Sequence, residues 1–215
     1  MTRLIRVSSH GYAYAYVIGA ALLGSCGGSD KPTAKSCPIG DPTAPAELQI
    51  VNLEADQATV NLTQASDLVP LVPPPQGGWI VLLGARARNL DGCQLTLTTA
   101  LVDACTGQIL QVDVRPTQLE LGDDGWGVSS LTTFGNLPVC PQLTATRDLH
   151  DVPYIVKVVV EDTHGQKASA QLSIIPTCGT EPSRCTCECA RDYVMGQSCD
   201  QPPIDAGVST CVDAP

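Results

Sequence analysis

Two neighbouring runs late in the chain alternate apolar and polar residues with a period of two. Tyr154, Val156, Val158 and Val160 share one side of the first run, and Ala168, Ala170, Leu172 and Ile174 share one side of the second. Between them lies the turn Asp162-Thr163-His164-Gly165. Successive side chains of a strand point to opposite faces, so this pattern describes two half-buried strands joined as a hairpin. An amphipathic helix would repeat every 3.6 residues instead. The strand signal recurs upstream. Leu48 to Leu53 and Ala58 to Leu62 are short apolar runs, and Trp79 to Arg88 is a longer one behind Pro73-Pro74-Pro75 and Gly77-Gly78. In Gln94 to Val102 the residues Leu95, Leu97 and Leu101 share a face, and Ile109 to Val114 follows the turn at Thr106-Gly107. Turn-bounded runs at this spacing predict an all-β antiparallel sandwich over residues 46–177. Aromatic residues make up 4% of the chain, so Val, Leu and Ile must build its core.

The amino-terminal segment carries an address. Arg3 and Arg6 precede an uncharged, largely apolar run from Gly11 to Leu23, which is the layout of an export signal and too short for a permanent span of about 20 residues. Its end, Leu22-Leu23-Gly24-Ser25-Cys26, resembles the bacterial lipobox. That resemblance implies cleavage after Ser25, with residues 1–25 as signal peptide. It also implies a diacylglycerol on the Cys26 thiol and a further acyl chain, such as palmitate, on its amino group. Three chains hold a protein on a membrane far more firmly than one. An ordinary secretory signal would end in an Ala-x-Ala-like site, and none precedes Cys26. Gly27 follows the cysteine where Asp would favour inner-membrane retention, so the outer membrane is expected, on either its periplasmic or its surface face.

Cysteine parity agrees with this. Of 11 cysteines, assigning Cys26 to lipid leaves Cys37, Cys93, Cys105, Cys140, Cys178, Cys185, Cys187, Cys189, Cys199 and Cys211, an even set that reads as disulfides in an exported chain. A strand from 94 to 102 holds Cys93 and Cys105 too far apart to bridge, because a disulfide needs Cα atoms within about 7 Å. The six cysteines from Cys178 onward are expected to pair among themselves, and Cys37, Cys93, Cys105 and Cys140 with one another. Residues 26–45 are small, polar and Pro-rich and read as a tether. Residues 178–215 read as a disulfide-rich tail. Loss of residues 1–25 lowers the basic count from 12 to 10 against 22 acids, giving a net charge of −12. Such a surface disfavours nucleic acid as a partner, which needs a basic patch.

The segment YIVKVVVEDTHGQKASAQLSI resembles the last two strands of bacterial immunoglobulin-like and polycystic-kidney-disease-like modules, which implies an immunoglobulin-like sandwich. Together with DLVPLVPPPQGG, GARARNLDGC, DDGWG, NLPVCP and the CxCxC tail, it is similar to uncharacterised cysteine-rich lipoproteins of Gram-negative bacteria. That resemblance implies a location and no activity.

Several side chains carry chemistry of interest. Glu120, Asp123 and Asp124 place three carboxylates ahead of Gly125-Trp126-Gly127, a loop suited to Ca²⁺ or a ligand, although the spacing fits no defined calcium loop. Trp126 is either an exposed platform for a ligand such as a sugar or a lid folded back on the end of the sandwich. Trp79 is expected in the core. Arg86 and Arg88 alternate outward in one strand with Asp91 nearby. Cys185-Thr186-Cys187-Glu188-Cys189 has the density of a soft-metal site, but thiols oxidise outside the cytoplasm, so disulfides are expected and no metal or cofactor. No G-x-S-x-G elbow, H-E-x-x-H pair or phosphate-cradling loop occurs, and His150 and His164 are the histidines of the mature chain. The expected function is therefore non-enzymatic: a membrane-anchored structural, adhesion or partner-binding module, its partner an envelope protein or a glycan. The alternatives are a ligand- or ion-binding lipoprotein using Asp123 to Trp126, or an envelope hydrolase using His150.

Overall fold

The computed structural model describes residues 36–200; the expected signal peptide, Cys26 and Cys211 lie outside the described residues. The chain runs through β1 (Pro38–Ile39), β2 (Glu47–Leu53), β3 (Val60–Leu62), β4 (Asp67–Pro70) and β5 (Trp79–Arg88). It continues through β6 (Leu90–Asp91), β7 (Leu95–Asp103), β8 (Ile109–Thr117), β9 (Leu119–Leu121) and β10 (Gly127–Ser129). A 3-10 turn at Leu131–Thr133 leads to β11 (Gly135–Cys140), β12 (Tyr154–Asp162), β13 (Lys167–Thr177) and helix α1 (Pro182–Glu188). One sheet has the order β3-β2-β5-β10-β9, with β11 also pairing with β5. The facing sheet has the order β4-β13-β12-β7-β8.

This is an all-β sandwich. The alternating hairpin pairs Tyr154 with Ile174 and Val160 with Ala168, in the register its apolar pattern demands. Trp79, Val81, Leu83, Ala85 and Ala87 of β5 meet Leu97 and Leu101 of β7 and Tyr154, Val156, Val158 and Val160 of β12 in one core. The pairing is not wholly antiparallel: β4 runs parallel to β13, with Asp67 opposite Ile174 and Pro70 opposite Thr177.

The continuous apolar run of β5 has a second cause. The alternate residues Ile80 and Leu82 join Val51, Leu53, Val72 and Phe134 in a small core on the opposite face of the sheet. The Phe134 ring packs against Gly84, where an added Cβ would come within 2.7 Å of it. Only beyond Gly84 does that outer face become polar, at Arg86 and Arg88.

Part of the expected tether belongs to the body. Pro38–Ile39 pairs with Leu90–Asp91, Cys37 bridges to Cys93, and Ile39 is buried in the main core. Asn89 holds this turn in the left-handed region, at φ 64°. Its amide accepts from Asp41 N and donates to Pro45 O, the local bonding that lets Asn occupy this region.

The expected cysteine partition does not hold. Cys140 pairs with Cys189, joining the two groups, while Cys178 pairs with Cys185 and Cys187 with Cys199. Cys105 is disulfide-bonded as well, but its expected partners Cys37 and Cys140 are both taken. The reason is burial. Cys140, Cys185 and Cys189 sit in the main core beside Trp79 and Leu149, so part of the tail fills one end of the sandwich. There Pro182 opens helix α1 at a position where its missing N–H costs nothing. Arg184 links Glu181 and Glu188 along the surface of that helix.

Candidate functional site

Two sequence features that are 38 residues apart, Arg86 and the Asp123–Trp126 loop, meet on the outer face of the β2-β5-β10-β9 sheet. Register explains the meeting. Gln49, Arg86, Val128 and Glu120 lie opposite one another across the four strands and therefore share a face. Glu47 faces Arg88 one rung along, and Gly127 faces Ala87, so Trp126 comes level with Arg88 on the outer side. The Arg86 guanidinium lies 4.5 Å from the Trp126 ring centroid and that of Arg88 lies 4.6 Å away. Each contact falls within the range of a cation–π interaction.

The two cations are also paired. Arg86 donates to Gln49 and to Asp124, and Arg88 Nη2 donates to both carboxylate oxygens of Glu47 at 2.8 Å. Asp124 Oδ1 accepts the Trp126 N–H at 3.0 Å. That bond, followed by the Arg86 contact, holds the Asp124 carboxyl below its usual range. Arg88 Nε is buried without a hydrogen-bond partner among the described residues. The assembly is a half-exposed Trp–Arg platform whose charges are largely matched.

This arrangement settles several expectations. Trp126 does fold back, but onto the sheet face and against two guanidinium groups, not over the end of the sandwich. Glu120 and Asp123 remain exposed, and Asp124 turns to Arg86, so the three carboxylates do not form a common cradle. Asp91 is not an arginine partner. It accepts from the amides of Cys37 and Cys93 and from Ser36 Oγ, beside a recess of about 280 Å³ lined also by Asp162, His164 and Gln166. His164 is exposed there, its Nε2 3.7 Å from Asp91 Oδ2.

His150 Nδ1 bonds to its neighbour Asp151 at 2.8 Å, and among the described residues no hydroxyl or thiol bonds its other nitrogen. The CxCxC run does not act as one unit. The sulfurs of Cys178, Cys185 and Cys189 lie within 4.8 Å of one another, whereas Cys187 pairs away with Cys199.

Sequence reading missed a buried network at the other end of the fold. Arg147 is 4% exposed, donates from Nε to Asp103 Oδ2 at 3.3 Å and to Pro153 O, and stacks 4.2 Å from the centroid of Tyr154. Burial pushes the Tyr154 phenol well above its ordinary value, and its hydroxyl donates to Asp148 O at 2.9 Å. The charge-dense string Arg147-Asp148-Leu149-His150-Asp151 was the available signal, together with the inward alternation of Tyr154. The partners of the platform were legible too, since Glu47-x-Gln49 mirrors Arg86-x-Arg88 at period two.

A second cleft, of about 530 Å³, runs along Gln94 to Thr96 and Pro116 to Gln118, with Thr133 and Thr163 on its walls. Set against known proteins, the chain matches no protein-family model and no curated protein sequence.

Proposed function

We propose that the protein is a lipid-anchored module of the bacterial cell envelope, held at Cys26, with a structural, adhesion or partner-binding role. The observation that carries this reading is the state of the cysteines. All nine within residues 36–200 are disulfide-bonded. Bridges at this density belong to exported proteins, because cytosolic thiols are kept reduced. The lipobox resemblance supplies the anchor and Gly27 the preference for the outer membrane. Mass spectrometry of the mature amino terminus from envelope fractions tests it. The expected product begins at Cys26 and carries diacylglycerol and an acyl chain; an unmodified terminus would overturn the anchor.

A second reading places binding at the Asp123–Trp126 loop, and the Trp126–Arg86–Arg88 platform favours it. Trp and Arg dominate the energetic centres of protein interfaces. Arg86 and Arg88 both contact the Trp126 ring, and this Trp–Arg combination fits a protein partner better than a glycan. Capture of envelope proteins by the intact chain, repeated with Trp126→Ala, reads it directly. Loss of a specific partner supports the platform, and unchanged capture assigns binding elsewhere.

A further inference from the structure

Two of the bridges are stacked against each other. Cys185 and Cys189 stand one helical turn apart at the end of α1, and their sulfurs are 4.0 Å apart although each is bonded to a different partner. The geometry points to a thiol–disulfide exchange site, in which an external monothiol attacks Cys178 and the bridge that finally opens is Cys140–Cys189.

Burial sets the order of events. Cys185 and Cys189 have no exposed surface and Cys140 is 5% exposed, whereas Cys178 is only half-buried. An external thiolate therefore reaches Cys178 Sγ first. The new bond forms there, the Cys178–Cys185 bond breaks, and its electron pair leaves on Cys185 as a thiolate. Thiolates, not thiols, carry such exchange.

The released Cys185 thiolate already faces Cys189 Sγ. Its attack forms Cys185–Cys189 and breaks Cys140–Cys189, and the departing Cys140 thiolate takes a proton from water. Two disulfides exist before and after, now a mixed disulfide at Cys178 and an intrahelical bridge, so the sequence consumes no oxidant. Residues four apart on a helix are separated by about 6 Å along its axis, within the Cα spacing of about 4.4–6.8 Å that a disulfide tolerates. Cys187 is excluded, because residues two apart on a helix do not share a face.

The exchange trades loops of unequal size. Cys178–Cys185 spans 7 residues and Cys140–Cys189 spans 49. Longer closed loops restrain the unfolded chain more, so the reaction starts at the bridge the fold needs less and ends by opening the one it needs more. Its product frees α1 from its covalent link to β11.

Limited treatment of the oxidised full chain with glutathione, followed by acid quench, maleimide alkylation and peptide mapping without reduction, tests the sequence of steps. The expected result is glutathione on Cys178, maleimide on Cys140 in equal amount, and a Cys185–Cys189 bridge. Maleimide on Cys185 with Cys140–Cys189 intact would overturn it, as would glutathione appearing on Cys140, Cys185 or Cys189 before Cys178. In the Cys140→Ser/Cys189→Ser variant, which lacks the acceptor bridge, maleimide should move to Cys185; its absence there would also count against the scheme.

Discussion

The indole nitrogen of Trp79 donates a 2.8 Å hydrogen bond to Glu188 Oε2, across 109 residues of sequence. The bond joins the start of the central strand to the end of α1, so the tail is placed by a polar contact as well as by Cys140–Cys189. Trp79 is 1% exposed, and its N–H has no water to turn to if that contact is lost. Hydrogen bonds to charged groups contribute about 1.5–3 kcal/mol, and the smaller Phe ring also leaves a void. Trp79→Phe should therefore cost about 2–4 kcal/mol in urea unfolding, and Glu188→Gln less, because it keeps an acceptor. A cost of Trp79→Phe that stayed the same in a Glu188→Ala background would show that packing alone is lost.

Arg147→Met should be among the most damaging single changes. It strands the Asp103 carboxylate, which is 2% exposed, without its cation. Removing one partner of a buried ion pair costs about 3–5 kcal/mol, whereas replacing both with apolar residues is often near neutral. Arg147→Met/Asp103→Leu should thus recover much of the loss. Asp103 Oδ1 also accepts the amides of Cys105 and Thr106, which limits the recovery. A double variant no better than the single one would deny the coupling.

Gly84→Ala should cost about 1–3 kcal/mol through overpacking against Phe134, as inserted methyl groups do in filled cores. Paired with Phe134→Leu, the same change should cost less than the sum of the two. Simple additivity in thermal melts would mean that the ring moves aside freely.

Acid should weaken the fold through Asp91. Burial pushes its carboxyl up, but hydrogen bonds from Cys93 N, Ser36 Oγ and Cys37 N, with the charge of His164, together bring it below the ordinary 3.8. A depressed carboxyl stabilises the folded chain above its unfolded value and loses that effect as pH falls through the folded one. Wild-type stability should accordingly drop as the pH falls below about 4, and Asp91→Asn should flatten that drop. Parallel curves for the two proteins in urea titrations would remove Asp91 from the account.

The strands easiest to read in the sequence were those with one dry face. β12 follows its alternation residue by residue and β13 in most positions, and the apolar run of β5 is continuous from Trp79 toward Arg88. The strands that escaped lacked a pattern of their own. Gly135–Cys140 contains Pro138 and pairs only along β5, and Asp67–Pro70 pairs in parallel with a strand far along the chain. Helix α1 was hidden because its burial comes from sulfur and from the sandwich end, not from an aliphatic stripe. The platform was half legible: Arg86, Arg88, Asp124 and Trp126 were all noted. That they meet depends on the β5–β10 pairing, and the short strand Gly127–Ser129 does not announce that pairing.

The bridge from Cys140 to Cys189 closes a covalent ring that contains the long loop before β12 and the whole last hairpin. A second ring, from Cys37 to Cys93, contains β1 to β6. A protease that cuts once inside either ring opens a circle without releasing a fragment, and the severed strand ends stay beside their partners. Damage at those surface loops is thus converted from loss of a piece into a nick that the sheets can hold together.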